Sequence, residues 1–257
     1  MSYHYFIAGL CIRTPVQLPD LPSVGNADAN LDVILGDCPS ITSELKESNQ
    51  WIALPRHIPE DMWCNLNGKE LCVFSEKVAP NLGVAIRQSI PFASALQGRV
   101  ILHASAIEYL NTGVVFVGPS GVGKSTIGKF FSDQGYRLLS DDLLPCRLSL
   151  NGQPQIFSTL DEDVDDRLVG FSSLHFLKRD KDFSTVHCVQ LDETKAMQRL
   201  IRHGFGEVEN KNIWRVQFDM YRRLATSVPA FDMHIPENDG MISAIMQHIE
   251  NLLVNGI

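Results

Sequence analysis

The 257-residue sequence is short of positive charge: 22 lysines and arginines stand against 30 aspartates and glutamates, a formal net charge of -8. Such a chain repels a polyanion unless its basic residues cluster, and no long basic run occurs, so general nucleic-acid binding is not expected. Long apolar runs are also missing. Stretches such as Gly113 to Val117 and Leu252 to Val254 fall well short of the roughly 18 residues a bilayer span needs, and Met1 opens into Ser-Tyr-His-Tyr instead of a charged then apolar leader. No membrane partner is expected, and the expected localisation is cytoplasmic. The six cysteines (Cys11, Cys38, Cys64, Cys72, Cys146, Cys188) include no Cys-x-x-Cys pair, which removes a zinc ribbon and a thioredoxin-like site. Free, buried thiols in a reducing compartment are expected instead. Glycine and proline, 18 and 13, are near ordinary usage, and 44% hydrophobic residues rule out a disordered or collagen-like chain. What remains is a folded protein long enough for one large domain, or one medium and one small.

The first 95 or so residues differ from the rest. Tyr3 to Ile12 is rich in strand-forming aromatic and branched residues, Pro15, Pro19 and Pro22 punctuate a loop, and Leu31 to Leu35 reads as a short strand. Met62 to Leu66 and Glu70 to Phe74 flank Asn67-Gly68, the dipeptide of a tight two-residue hairpin turn. Residues 1–97 are therefore expected to form a small, mostly β domain, a candidate for substrate recognition. From Asn81 to Gln97, Leu82, Ala85, Ile86, Ile90, Ala93 and Leu96 recur at helical spacing, and Pro91 is expected to break the helix. Residues 98–257 then open with a strand over Val100 to Ile107, a turn at Asn111-Thr112-Gly113 and a compact apolar strand, Val114 to Val117. The expected class is α/β.

That strand runs directly into Gly118-Pro119-Ser120-Gly121-Val122-Gly123-Lys124-Ser125, followed by Thr126. The segment matches G-x-x-x-x-G-K-[ST] at every fixed position, and a helix over Lys124 to Gln134 is expected after it, which is the context the motif requires. Its glycines let backbone N–H groups point at phosphate oxygens and the helix N-terminus adds a favourable dipole. Lys124 neutralises the β and γ phosphates, and Ser125 is suited to ligate Mg2+. A nucleoside triphosphate is the implied ligand. Gly135 fits the left-handed residue that ends the helix. A short strand, Tyr136 to Leu139, then delivers Ser140-Asp141-Asp142 at its carboxyl end, where ligands of α/β sheets sit. One carboxylate there can hold Mg2+ while the other orients or deprotonates an incoming hydroxyl; a solvated Asp-rich turn is the plainer reading. His103, between Leu102 and Ala104, reads locally as a hydrogen-bonded core residue as readily as a catalytic one.

The arrangement His103-Ala-Ser, then Gly118 to Thr126, then Gly135-Tyr-Arg-Leu-Leu-Ser-Asp141-Asp142 resembles the C-terminal kinase domain of the HPr kinase/phosphorylase family. The acidic pair follows Lys124 by 17 residues, after one helix, and the histidine precedes it by 21. The resemblance covers roughly Val100 to Ile257, with its strongest motifs ending at Asp142. It implies a P-loop kinase fold related to phosphoenolpyruvate carboxykinase, using ATP and Mg2+ to phosphorylate a serine hydroxyl of a protein or peptide. By position it implies Asp141 as catalytic acid/base, Asp142 and Ser125 as Mg2+ ligands, Lys124 as phosphate clamp and His103 as an active-site partner. Thr126 stands where the family usually carries an acidic residue, and the family's downstream glycine-rich signature has no counterpart. The phosphorylase reaction and HPr as acceptor are therefore not carried over. The opening Tyr3 to Arg13 and Leu18-Pro19-Asp20-Leu21-Pro22 looks like HPr-kinase-related proteins of peptide natural-product pathways, including those that phosphorylate the C-terminal serine of lasso precursor peptides.

Further along, the acidic run Asp161 to Asp166 reads as a solvated loop, with a second metal site or a basic-peptide contact as the alternative. Leu174 to Arg179 reads as a strand ending in charge and Asp192 to His203 as an amphipathic helix. Trp214, Phe218 and Tyr221 are expected to face the core of a helix whose Arg215, Arg222 and Arg223 face outward. One of those arginines, or Lys178, is a candidate to reach the transferred phosphoryl group. The expected activity is an ATP- and Mg2+-dependent serine kinase acting on a peptide or protein. The alternatives are a kinase of a small acceptor such as free serine and a non-catalytic nucleotide-binding regulatory module. Homo-oligomerisation is compatible with the sequence.

Overall fold

The computed structural model describes residues 2–18, 24, 29, 31–36, 51–54, 61–74, 82–160, 168–204, 211–236 and 241–255. The chain divides into two compact units, Met1–Ile101 with Phe205–Met220, and Leu102–Gly204 with Tyr221–Ile257. The sequence alone set one boundary, at residue 97, and had no means of assigning a later segment to the first unit.

The first unit is built on a six-stranded mixed sheet. Strands β1 (Tyr3–Ile7), β2 (Leu10–Thr14), β3 (Leu31–Gly36), β4 (Trp51–Ala53), β5 (Asp61–Asn65) and β6 (Glu70–Phe74) are ordered β1-β2-β3-β6-β5-β4. What reads as one apolar run from Tyr3 to Ile12 is a hairpin. Its turn is Ala8-Gly9, with φ of 47° and 78°, the two positive angles that match the twist of antiparallel strands. Alanine there gives no turn signal. The second hairpin closes differently from the expected two-residue turn. Leu66 to Lys69 lie between the paired strands, the Gly68 N–H donates to the Asn65 carbonyl (2.9 Å), and of the Asn-Gly pair only Gly68 takes positive φ. Asn65 supplies the reason: its Oδ1 accepts the N–H groups of Lys69 and Glu70, at 3.0 and 3.1 Å, and so widens the loop. Gly68 also touches the following helix, for a Cβ there would stand 2.6 Å from the Ala93 carbonyl oxygen.

That helix, α1 (Leu82–Leu96), continues through Pro91 instead of breaking there. An interior proline costs about 3 kcal/mol, and the burial of Leu82, Ala85, Ile86, Ile90, Phe92 and Ala93 along one stretch offsets it at roughly 25 cal/mol per Å² of apolar surface.

The second unit holds an eight-stranded mixed sheet. Its strands are β7 (Arg99–Tyr109), β8 (Thr112–Val117), β9 (Arg137–Ser140), β10 (Leu143–Leu148), β11 (Pro154–Phe157), β12 (Leu168–Arg179), β13 (His187–Gln190) and β14 (Ala230–Ile235). The order is β11-β10-β7-β8-β12-β14-β13, with β9 paired to β7 and β11 also to β12. The β7–β8 turn is Leu110-Asn111, both at positive φ (48° and 62°), one residue earlier than the sequence suggests. The central strands β8, β12 and β14 run parallel. Val114 and Phe116 of β8 pack with Ile127 and Phe131 of α2 (Lys124–Asp133) and with Ile245 and Ile249 of a C-terminal helix, Met241–Asn255. These helices thus cover the strand that leads into the glycine-rich loop, as the 3.6-residue spacing of their apolar positions requires. Gly135, at φ 88°, follows α2 as expected.

Helix α3 (Glu193–His203) starts at Asp192, whose carboxylate caps the Lys195 N–H at 2.8 Å. Arg199 ties it to β14 by a two-pronged bond to Asp232, at 2.9 and 2.6 Å. In α4 (Lys211–Ser227) the aromatic expectation holds only for Tyr221, which is buried. Trp214 and Phe218 are 46% and 37% exposed and stack on each other with centroids 4.7 Å apart. The buried positions among the described side chains are Ile213, Gln217, Met220, Tyr221, Leu224 and Ala225, one stripe that Trp214 and Phe218 flank.

Cys11, Cys64, Cys72, Cys146 and Cys188 are free thiols, and burial pushes Cys64 up to about 12. Cys38 and the acidic run at 161–166 lie outside the described residues. Among the described residues no helix is long and apolar enough to cross a membrane.

Candidate phosphoryl-transfer site

The site begins with strand β8, whose Val114 to Val117 are completely buried and so fix where the loop starts. Gly118 leaves the strand at a point where a Cβ would stand 3.0 Å from Val122 Cγ1 and 3.1 Å from the Leu177 carbonyl oxygen. Gly121 and Gly123 take φ of 77° and 117°, conformations a side chain resists. Pro119, Ser120 and Gly121 are exposed at the loop's crest, and Ser125 and Thr126 are exposed on the first turn of α2. No side chain caps that helix, and its first turn carries no acid. Its leading N–H groups are therefore directed into the loop without an internal acceptor, the arrangement that attracts an anion.

Lys124 is nearly buried (5% exposed), and its ammonium donates to the carbonyls of Gly118 and Pro119 at 2.8 and 3.0 Å. Burial lowers its pKa, against the raising effect of Asp142 and Asp141. Both acids of the predicted pair therefore lie within electrostatic reach of the predicted clamp. Strand β9 brings them there: Ser140 Oγ donates to the Leu143 carbonyl (3.1 Å) across the β9–β10 turn, and Thr159 Oγ1 donates to Ser140 Oγ at 3.1 Å. The two carboxylates then differ. Asp142 is 73% exposed and lies 3.2 Å from His103 Nε2, while its backbone carbonyl accepts the Ala104 N–H at 3.0 Å. Asp141 is half-buried, and its Oδ1 is buried with no hydrogen-bond partner. Burial, then Lys124, depresses His103 below the ordinary histidine range, and Asp142 acts in the opposite direction.

A divalent cation has a limited ligand supply here. Among the described residues no cluster of three or more His, Cys, Asp or Glu side chains forms a cage. The donor set fits Mg2+, which is bound through one or two protein oxygens together with substrate phosphates, and Asp142 and Ser125 are among the residues with exposed side-chain oxygens there.

No family model matches the chain. Two curated proteins do, the HPr kinase/phosphorylases of Streptococcus equi subsp. zooepidemicus (strain MGCS10565) and Streptococcus equi subsp. equi (strain 4047). Each is 28% identical over 158 residues, 59% of this chain. Over that stretch the chain is similar to HPr kinase/phosphorylases. It spans about half the length, 51%, of the curated relatives it matches. The solved structure of the Hpr(Ser) kinase/phosphatase from Coxiella burnetii aligns with 60% of this chain and 97% of its own, at 13% identity and a TM-score of 0.35, too slight a likeness to bear on the fold.

Two residues near the site escaped the sequence reading. Lys178, a candidate phosphoryl contact, pairs with Asp180 at 3.3 Å. Its neighbour Arg179 reaches the loop instead, donating from Nε to the Val122 carbonyl (3.0 Å) and from its terminal nitrogen to the Pro236 carbonyl (2.9 Å). Only topology reveals this: β12 runs parallel to β8 with Phe176 opposite Val117, so the residues just beyond Phe176 emerge beside the loop. His203, at the end of α3, stacks on Phe176 (6.2 Å). Burial, then Arg202 and Arg199, lowers its pKa, and Lys124 and His103 add to the effect. Nothing in the local sequence marks it.

Proposed function

We propose that the protein is a phosphotransferase, an ATP- and Mg2+-dependent serine kinase of the HPr-kinase type. The observation that carries the reading is an uncapped helix N-terminus with a buried lysine at its start and an unpartnered carboxylate oxygen within that lysine's field. Backbone N–H groups of the loop and of the first turn of α2, apart from Pro119, which has none, receive the phosphates. Lys124 exchanges its loop carbonyls for β- and γ-phosphate oxygens, a stronger charge-assisted pairing. Ser125 and Asp142 would hold Mg2+, which neutralises charge building on the phosphate oxygens. His103, beside Asp142, keeps that carboxylate oriented. Asp141 accepts the proton of the acceptor hydroxyl as its oxygen attacks the γ-phosphorus. The bond from that phosphorus to the β–γ bridging oxygen breaks, and ADP leaves with the bridging electron pair.

For the acceptor we infer a serine hydroxyl of a peptide or protein, including the C-terminal serine of a lasso-type precursor. What supports it is the likeness to two curated proteins named for a protein substrate and the N-terminal opening described above. On this reading residues 1–97 recognise the acceptor, residues 98–257 carry the kinase chemistry, and the protein works in the cytoplasm, where its thiols stay reduced.

The test is to incubate purified protein with ATP, Mg2+ and serine-bearing peptides, with free serine in parallel. ADP and a phosphoserine peptide are the expected products. Phosphorylation of free serine alone would reassign the acceptor. ATP binding without ADP or any phosphorylated product would leave a nucleotide-sensing module instead.

A further inference from the structure

Asp141 Oδ1 is not the only buried oxygen near α2 without a partner: Ser105 Oγ, on the fully buried Ser105 of β7, is a second. The two converge on one glycine. A Cβ built on Gly128 of α2 would stand 2.6 Å from Ser105 Oγ, 2.9 Å from Leu138 Cδ1 and 3.8 Å from Asp141 Oδ1. The absence of a side chain at Gly128 is therefore what lets the hydroxyl approach the helix, and Leu138 walls the same space. The chemistry of the two atoms is complementary. A serine hydroxyl carries one proton to donate, and an ionised carboxylate oxygen can only accept. Buried polar atoms are seldom left unpaired without a reason, and two in one small space, of opposite need, share one.

The geometry of β7 adds an independent indication. His103 and Ser105 are two residues apart on that strand and so lie on the same face. His103 lies 3.2 Å from Asp142, and Ser105 is directed toward the space that Asp141 Oδ1 borders. One strand thus addresses both acids of the pair through alternate residues.

We propose that Ser105 is the positioning residue for Asp141. Its hydroxyl donates to Oδ1, directly or through one water, and so turns the other carboxylate oxygen toward the acceptor hydroxyl. This rests on the kinase reading, in which Asp141 is the base, and extends it to a residue that touches neither nucleotide nor acceptor.

A double-mutant cycle tests it, with single-turnover transfer and nucleotide affinity measured for wild type, Ser105→Ala, Asp141→Asn and the double variant. Ser105→Ala should slow transfer about tenfold or more, the scale on which misplaced catalytic groups act, with nucleotide affinity changed by less than about twofold. In the Asp141→Asn background the same substitution should change nothing further, because the coupling runs through that carboxylate. Transfer within about twofold of wild type in Ser105→Ala would overturn the inference and leave the kinase reading intact. So would a tenfold loss that persists undiminished without the Asp141 carboxylate, since Ser105 would then act elsewhere. Wild-type transfer in Asp141→Asn alone would remove the base itself, and with it both claims.

Discussion

The two flanks of the phosphate loop are built to opposite ends. On the side where β12 and β14 finish, polar groups are matched. Arg179 bonds the carbonyls of Val122 and Pro236. Asp180 accepts from His234 Nδ1 at 2.8 Å, from Lys178 and from the Asp182 N–H at 3.2 Å. The His234 bond, then the Asp182 N–H, holds the Asp180 carboxyl below its ordinary range. On the side where β9 finishes, Asp141 Oδ1 and Ser105 Oγ have no partner, and Lys124 is spent on carbonyls of its own loop. A satisfied network rigidifies, whereas buried polar groups without partners call for an explanation. The first flank holds the loop, and the second is where the proposed chemistry would act.

The largest stability effect should come from the holding flank. Arg179→Ala strips two carbonyls of their charged donor and is expected to cost about 2 to 3 kcal/mol, read as a lower urea midpoint. Asp141→Asn should leave the midpoint within about 0.5 kcal/mol of wild type, as changes that break no partnership do. Equal losses in both would erase the contrast between the flanks.

A probe away from both flanks calibrates that comparison. His175 is buried beside Phe116, Phe231 and His248, and burial, then His248, lowers it to about 3. The unfolded chain takes up this proton below the ordinary 6.5, while the folded one resists until about 3. Its contribution is therefore complete above pH 6.5 and is lost as pH falls toward 3. Between pH 7 and pH 5 this group alone should cost about 2 kcal/mol of stability, and His175→Phe should remove that share. An unchanged pH slope in the variant would assign the loss to other groups.

The smallest effect is the most local. Lys124 depresses His103, so Lys124→Met should move the His103 imidazole resonance to titrate at higher pH than in wild type. No movement would separate the histidine from the chemical flank.

The loop and the acidic pair could be picked out as candidates from sequence because they are local. Gly118 to Ser125 is a contiguous motif, and Asp141 and Asp142 follow it after one helix. Arg179, Ser105 and His203 were not legible, because each comes to the loop through strand register or helix ending, which no local spacing encodes. The same distinction runs through the fold. The apolar strand into Gly118, the helix ending at His203 and the glycine after α2 are local and were read correctly. The Ala8-Gly9 turn, the passage of α1 through Pro91 and the outward stack of Trp214 on Phe218 depend on tertiary burial that overrides propensity.

The most direct test is to follow phosphoryl transfer from saturating ATP to a serine acceptor in a single turnover of Asp141→Asn beside wild type, with nucleotide affinity measured separately. Affinity should stay within about twofold while transfer falls by roughly 100-fold or more, the range a general base contributes. Transfer within a few-fold of wild type would mean that the carboxylate left open beside Lys124 does not take the proton.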